Sequence, residues 1–134
     1  MILVRTSLQP SSVHGFGVFA SEKIPAGTLV WKFHPAVDLV IAHATMVGLP
    51  VATQEFIHSH AYLDSETRVY ILCGDLAKFC NHASVPNTTV VDDPDSPYRG
   101  DIAARDIEVG EELTTNYAEF DAEWAIKLEA AKTA

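Results

Sequence analysis

Cysteine is scarce in this chain. The two that occur, Cys73 and Cys80, sit seven residues apart, which matches neither a Cys-x-x-Cys redox pair nor the paired knuckles of a zinc site. They read as reduced core thiols. Basic side chains are outnumbered, nine against eighteen acidic ones, and the net charge of −9 opposes direct binding to nucleic-acid phosphates while suiting a basic ligand or peptide. Long apolar runs are missing too. No stretch approaches the roughly 20 residues that a membrane helix needs, so no membrane association is expected. Met1 to Arg5 lack the basic start, long apolar segment and small-residue cleavage site of a secretory signal, which makes an intracellular, by default cytoplasmic, location the expectation. There is no internal repeat, low-complexity tract or linker.

What the chain does have is enough apolar content for one core. At 134 residues and 48% hydrophobic composition it reads as a single domain, 1–134, of mostly β structure with short helices. Strand-like segments fall at Ile2 to Arg5, Gly17 to Ala20, Thr28 to Phe33, Val69 to Leu72, Thr88 to Val91 and Tyr98 to Ala104, short and separated by stretches that carry Gly, Pro, Asn and Asp. Short helices are expected over Ile41 to Gly48 and Thr53 to Ala61, inside a helical insert at about 35–68. The prolines and aspartates of 92–97 predict a hairpin loop. Phe120, Trp124, Leu128 and Ala131 recur at helical spacing behind a possible Asp121 cap, giving a C-terminal helix at about 121–132.

Three segments carry chemistry when read jointly. His14-Gly15-Phe16-Gly17 is a glycine-x-glycine turn leading into a strand, where glycine lets backbone approach a ligand closely. A third glycine and a following helix, which a dinucleotide site requires, are absent. Asn81-His82-Ala83-Ser84-Val85-Pro86-Asn87 offers donors and acceptors of the kind a purine can use, although such residues also satisfy loop backbone. Gly110-Glu111-Glu112-Leu113-Thr114-Thr115-Asn116-Tyr117 closes a β-prone stretch on a tyrosine that alone would read as a core aromatic. His58 and His60 have no carboxylate or cysteine cluster beside them, so no metal is expected. Arg99-Gly100-Asp101 reads as a chance tripeptide, and Asp92, Asp93 and Asp95 as a solvated turn.

In this order and spacing the segments resemble the SET domain, over roughly residues 5 to 120. The resemblance implies small curved, β-clip-like sheets around a C-terminal pseudoknot, in which the Asn-His segment and the tyrosine-bearing tail cross. It further implies a protein-lysine N-methyltransferase that uses S-adenosylmethionine. His14, Gly15, Phe16 and Gly17 would line the methionine part of that cofactor, largely through backbone, while Asn81 and His82 hold its amino and adenine portions. Tyr117 matches the family's catalytic tyrosine. Lys78 stands where the family usually has arginine, Ala83-Ser84 where Ser-Cys is usual, and Thr115-Asn116 where an aromatic and an aspartate are common.

The family's cysteine-rich flanking modules are missing, so another element must close the cofactor pocket. The C-terminal helix is the expected cover, with Phe120 nearby and Trp124 stacking on the adenine. Cofactor and peptide would lie on opposite faces joined by a channel, with an acidic peptide side for a basic, lysine-containing partner. A homodimer is compatible with this reading, and a chromatin substrate would shift the location to the nucleus. Two other functions stay open: a SET-like peptide-binding module with weak or lost catalysis, and a methyltransferase for a non-histone protein or free lysine.

Overall fold

A computed structural model describes residues 1–133. In its first half the strands are β1 Thr6–Pro10, β2 Phe16–Ala20, β3 Leu29–Lys32, β4 Leu39–Ile41, β5 Tyr62–Leu63 and β6 Tyr70–Leu72. Helices α1 His43–Val47 and α2 Val51–His60 lie between β4 and β5. The second half holds β7 Asn81–His82, β8 Thr88–Val91, β9 Gly100–Ala103, β10 Thr114–Thr115 and the final helix α3 Trp124–Thr133. Among the described residues no helix is long and apolar enough to cross a membrane.

These strands make four small sheets, as expected of short segments broken by turn formers. β1 and β2 form an antiparallel hairpin, β3-β9-β8 and β4-β6-β5 are three-stranded and antiparallel, and β10 pairs with β7 in parallel. The 92–97 segment is indeed the connection between paired β8 and β9. The expected strand at Ile2 to Arg5 is displaced. Closure of the hairpin at Ser11 and Gly15 puts Pro10 opposite Phe16 and Thr6 opposite Ala20, so residues 6–10, rather than 2–5, form the first strand. Ile2 keeps a single bridge to Trp31.

Three apolar clusters hold the sheets together. Ala20, Ile24, Val30, Ala103, Ile107 and Leu113 join the hairpin to the larger β3-β9-β8 sheet. Ile41, Met46, Ile57, Ala61, Leu63 and Tyr70 seat the helical insert on β4-β6-β5. Trp31, Tyr62, Ile71, Cys73 and Phe120 lie between those two sheets and under the start of the tail. Helix α3 buries none of its own residues, so its docking depends on polar tethers and partial contacts.

The crossing of the C-terminal tail decides where the site lies. On one side of the tail, Thr114 and Thr115 stand in register with Asn81 and His82, and Ala83 N donates to Thr115 O at 3.0 Å. On the other, Asn87 Nδ2 donates to Glu112 O at 2.8 Å, Thr114 N donates to Asn87 Oδ1 at 2.8 Å, and Thr88 Oγ1 donates to Thr114 O at 2.9 Å. Residues 112–115 therefore thread between the two ends of segment 81–88, which is the expected pseudoknot.

Candidate active site

Asn81 is the hub of the crossing. It is 7% exposed, and its amide nitrogen donates toward His14 O at 3.1 Å, Phe16 O at 3.0 Å and Glu112 Oε1 at 2.8 Å. One side chain thereby locks the glycine turn, the Asn-His strand and the tail together. The Glu112 carboxylate also accepts from Ser11 Oγ at 2.8 Å. Gly17 is required by this packing, because a Cβ there would collide with the Glu112 carboxylate. Gly15 is required by its backbone, which adopts a left-handed φ of 49° where a Cβ would meet nothing.

Tyr117 follows directly from the threaded strand. Its backbone N–H donates to His82 Nδ1 at 3.2 Å, and the two rings lie 5.3 Å apart. With Nδ1 accepting, the neutral His82 ring carries its proton on Nε2. The Tyr117 hydroxyl donates to the Cys80 carbonyl at 2.6 Å. Burial, reinforced by Cys80, Asp121 and Glu112 nearby, drives the phenol well above its ordinary pKa of 10.0. The hydroxyl thus keeps its proton, points it at a fixed carbonyl, and leaves its lone pairs for another partner.

A cavity of about 440 Å³ opens against this constellation, within the range of about 300–1,000 Å³ typical of small-molecule sites. His14, Asn81, His82 and Tyr117 all line it, so four sequence-predicted residues meet on one wall. Gly15, Phe16 and Gly17, also expected at the cofactor, do not line the cavity, and Phe16 is 55% exposed. From the helix, Lys127, Leu128, Ala131 and Lys132 face the cavity, and Phe120 lines it as well.

Trp124 is a correction. It is 40% exposed and does not line the cavity. It opens the helix, about one turn before Lys127 and Leu128, which do line the cavity.

Several lining residues carried no signal in the sequence. Thr115 Oγ1 is buried at the cavity wall without a hydrogen-bond partner. Arg99 and Asp101, read above as part of a chance tripeptide, form a buried ion pair on the same cavity. A second hollow of about 300 Å³ carries Asp64, Glu66, Asp92, Asp93 and Glu119. Only the topology, which folds the 92–97 loop against residues 64–66 and 119, brings those carboxylates together. Among the described residues no group of three His, Cys, Asp or Glu side chains is placed to hold a metal ion.

Comparison with known proteins agrees with this architecture. The SET domain family model matches residues 15–118, well over half of the chain. The fold is similar to a chain of Chaetomium thermophilum Polycomb Repressive Complex 2, with TM-score 0.69 and 24% identity, covering 95% of this chain and 17% of the other. The apo form of that complex gives TM-score 0.70 at 25% identity, over 93% and 16%. A Plasmodium falciparum protein described as a histone methyltransferase gives TM-score 0.59 at 18% identity, over 87% of this chain and 95% of that one. This chain spans only 14% to 17% of the Polycomb chains that it resembles. No curated protein matches its sequence significantly. The chain belongs to the SET-domain family.

Proposed function

We propose that the protein is an S-adenosylmethionine-dependent protein-lysine N-methyltransferase. The observation that carries this reading is the Tyr117 hydroxyl, fixed on the Cys80 carbonyl at the wall of a 440 Å³ cavity that Asn81 and His82 also line. The residues present suit the cofactor. Val13, Ala77 and Leu113 give apolar surface, while His14, His82 and the unpartnered Thr115 hydroxyl give polar contacts. His82 would hold the purine end through Nε2–H, and Lys78 would face a carboxylate. When bound, the cofactor supplies an electrophilic methyl group on a positively charged sulfur.

The protein's own part is to deliver a neutral amine. A lysine amine has an ordinary pKa of about 10.4, and only its unprotonated form attacks a methyl group. Desolvation in the closed cavity favours the neutral form. Tyr117 then accepts a hydrogen bond from the amine and aims its lone pair, a contribution of orientation. Burial favours the protonated phenol, which suits Tyr117 to orient the amine.

The acidic hollow beside Glu119 supports a basic peptide as substrate, since its carboxylates attract lysine-rich segments and raise the encounter rate. Calorimetric titration with S-adenosylmethionine and with its demethylated product tests the cofactor assignment. Saturable binding below millimolar ligand is expected. Its absence at that concentration, about 4 kcal/mol on the affinity scale, overturns the assignment.

A further inference from the structure

Arg99 occupies a position that invites a specific role. Its guanidinium carbon lies 3.6 Å from the Phe120 ring centroid, 4.9 Å from Tyr62 and 5.0 Å from Trp31. Those rings form a box, with Tyr62 and Phe120 edge to face at 5.0 Å and the Tyr117 ring 6.1 Å from Phe120. Three aromatic faces around one cation make a favourable site in which each ring quadrupole attracts the charge. Asp101 supplies a buried carboxylate to the same cation.

The box lies between the two hollows. Arg99 and Phe120 line both the cavity at Tyr117 and the acidic hollow of Asp64, Asp92 and Glu119. Arg99 and Phe120 are thus the residues that separate the acidic hollow from the cavity holding Tyr117. The box is also incompletely satisfied by its resident. Arg99 Nε, Tyr62 Oη and Trp31 Nε1 are all buried without partners, and Tyr62 and Trp31 are 7% and 3% exposed. An arginine built purely as a core strut would be expected to spend its donors, since an unpaired buried polar group is destabilising. Arg99 also precedes β9, whose pairing begins at Gly100, so withdrawing its side chain breaks no ladder hydrogen bond.

We propose that Arg99 is a resident cation closing the acceptor passage, and that a substrate lysine reaches Tyr117 by displacing its guanidinium from the Trp31, Tyr62 and Phe120 box. This rests on the lysine-acceptor reading above and adds to it a gate. An entering ammonium meets the same rings and the same Asp101 carboxylate, with three donors that can include the free Tyr62 oxygen. The arginine then selects against side chains that cannot replace its charge, and it keeps the passage shut to water when no substrate is present.

The test uses the full chain, Arg99→Ala, and the charge-balanced double variant Arg99→Ala with Asp101→Asn. n-Butylammonium serves as a probe with the lysine head and stem. Arg99→Ala is expected to melt below wild type and to regain stability saturably with millimolar n-butylammonium, whereas wild type needs about ten times as much for the same response. Arg99→Ala, which keeps the Asp101 carboxylate that an entering ammonium meets, is expected to methylate a lysine-rich peptide with KM lowered about tenfold, the factor for a passage open in about one wild-type molecule in ten, whereas the double variant loses the response to n-butylammonium. The affinity of Arg99→Ala for S-adenosylmethionine stays at the wild-type value. No cation-dependent stabilisation of Arg99→Ala, or a KM in Arg99→Ala equal to or above wild type, overturns the gate. The cation readout needs no methyl transfer. Binding of n-butylammonium without binding of S-adenosylmethionine would remove the enzymatic reading and leave the cation box, while methyl transfer with a cation-blind Arg99→Ala would do the reverse.

Discussion

The two walls of the large cavity are built in different ways. The wall made by Asn81, His82 and Tyr117 is a crossing of distant segments, fastened by buried hydrogen bonds from Asn81, Asn87 and Thr88. The wall made by α3 buries no residue of its own. It is tethered by Lys127 to Asp121 and by Glu123, which accepts from Tyr70 Oη at 2.8 Å and faces His58 Nδ1 at 3.1 Å. The difference teaches that the chemistry sits on the rigid wall and that the opposite wall can loosen without unravelling the site.

Breaking the rigid wall should have the largest effect. Asn81→Ala removes the donor shared by three acceptors and leaves the Glu112 carboxylate short of a partner in a buried network. A loss of about 3 kcal/mol is expected, seen as a melting temperature lower by about 10 °C, together with loss of cofactor binding. Wild-type melting in this variant would mean that the crossing is held by its backbone alone.

The movable wall should respond to acid. Burial works to raise the Glu123 pKa, but the bonds from Tyr70 and His58 and the charge of Lys127 outweigh it, so the folded value lies below the ordinary 4.5. A depressed folded pKa stabilises fully above the unfolded value and is lost as pH falls through the folded one. At neutral pH, Glu123→Gln should melt a few degrees below wild type, and the gap should close as pH drops below about 4.5. A gap that persists unchanged at low pH would show that Glu123 acts by shape and not by charge.

Trp124→Ala should do least. With the indole 40% exposed and off the cavity wall, a stability change of less than about 1 kcal/mol is expected, with cofactor affinity within twofold of wild type. A large loss of affinity at unchanged stability would restore Trp124 as the cover.

What could be read from the sequence divides along the same line. Gly15, Gly17, Asn81 and Tyr117 were legible because a motif preserves their order, and the threaded tail then brings them to one place. Glu112 was visible only as part of a terminus. Its bonds to Asn81 and Ser11 depend on contacts 31 and 101 residues apart, which no local pattern encodes. Strands of two residues, such as Asn81–His82 and Thr114–Thr115, are too short for a period-two signal. Arg99 escaped notice because its meaning lies in three rings drawn from residues 31, 62 and 120. For Trp124 the helical period was right, but the position of the helix start, which decides how far the face reaches, was not in the pattern.

The central claim is that Tyr117 aims a lysine amine within a cofactor-binding cavity. Its most direct test is transfer of labelled methyl groups from S-adenosylmethionine to a whole-cell lysate, with modified residues located by mass spectrometry, for wild type and Tyr117→Phe in parallel. Wild type is expected to label lysine side chains, and Tyr117→Phe to bind the cofactor as tightly while its turnover falls at least about tenfold. Labelling at the wild-type rate by Tyr117→Phe, or no lysine labelling by either protein, would contradict the account.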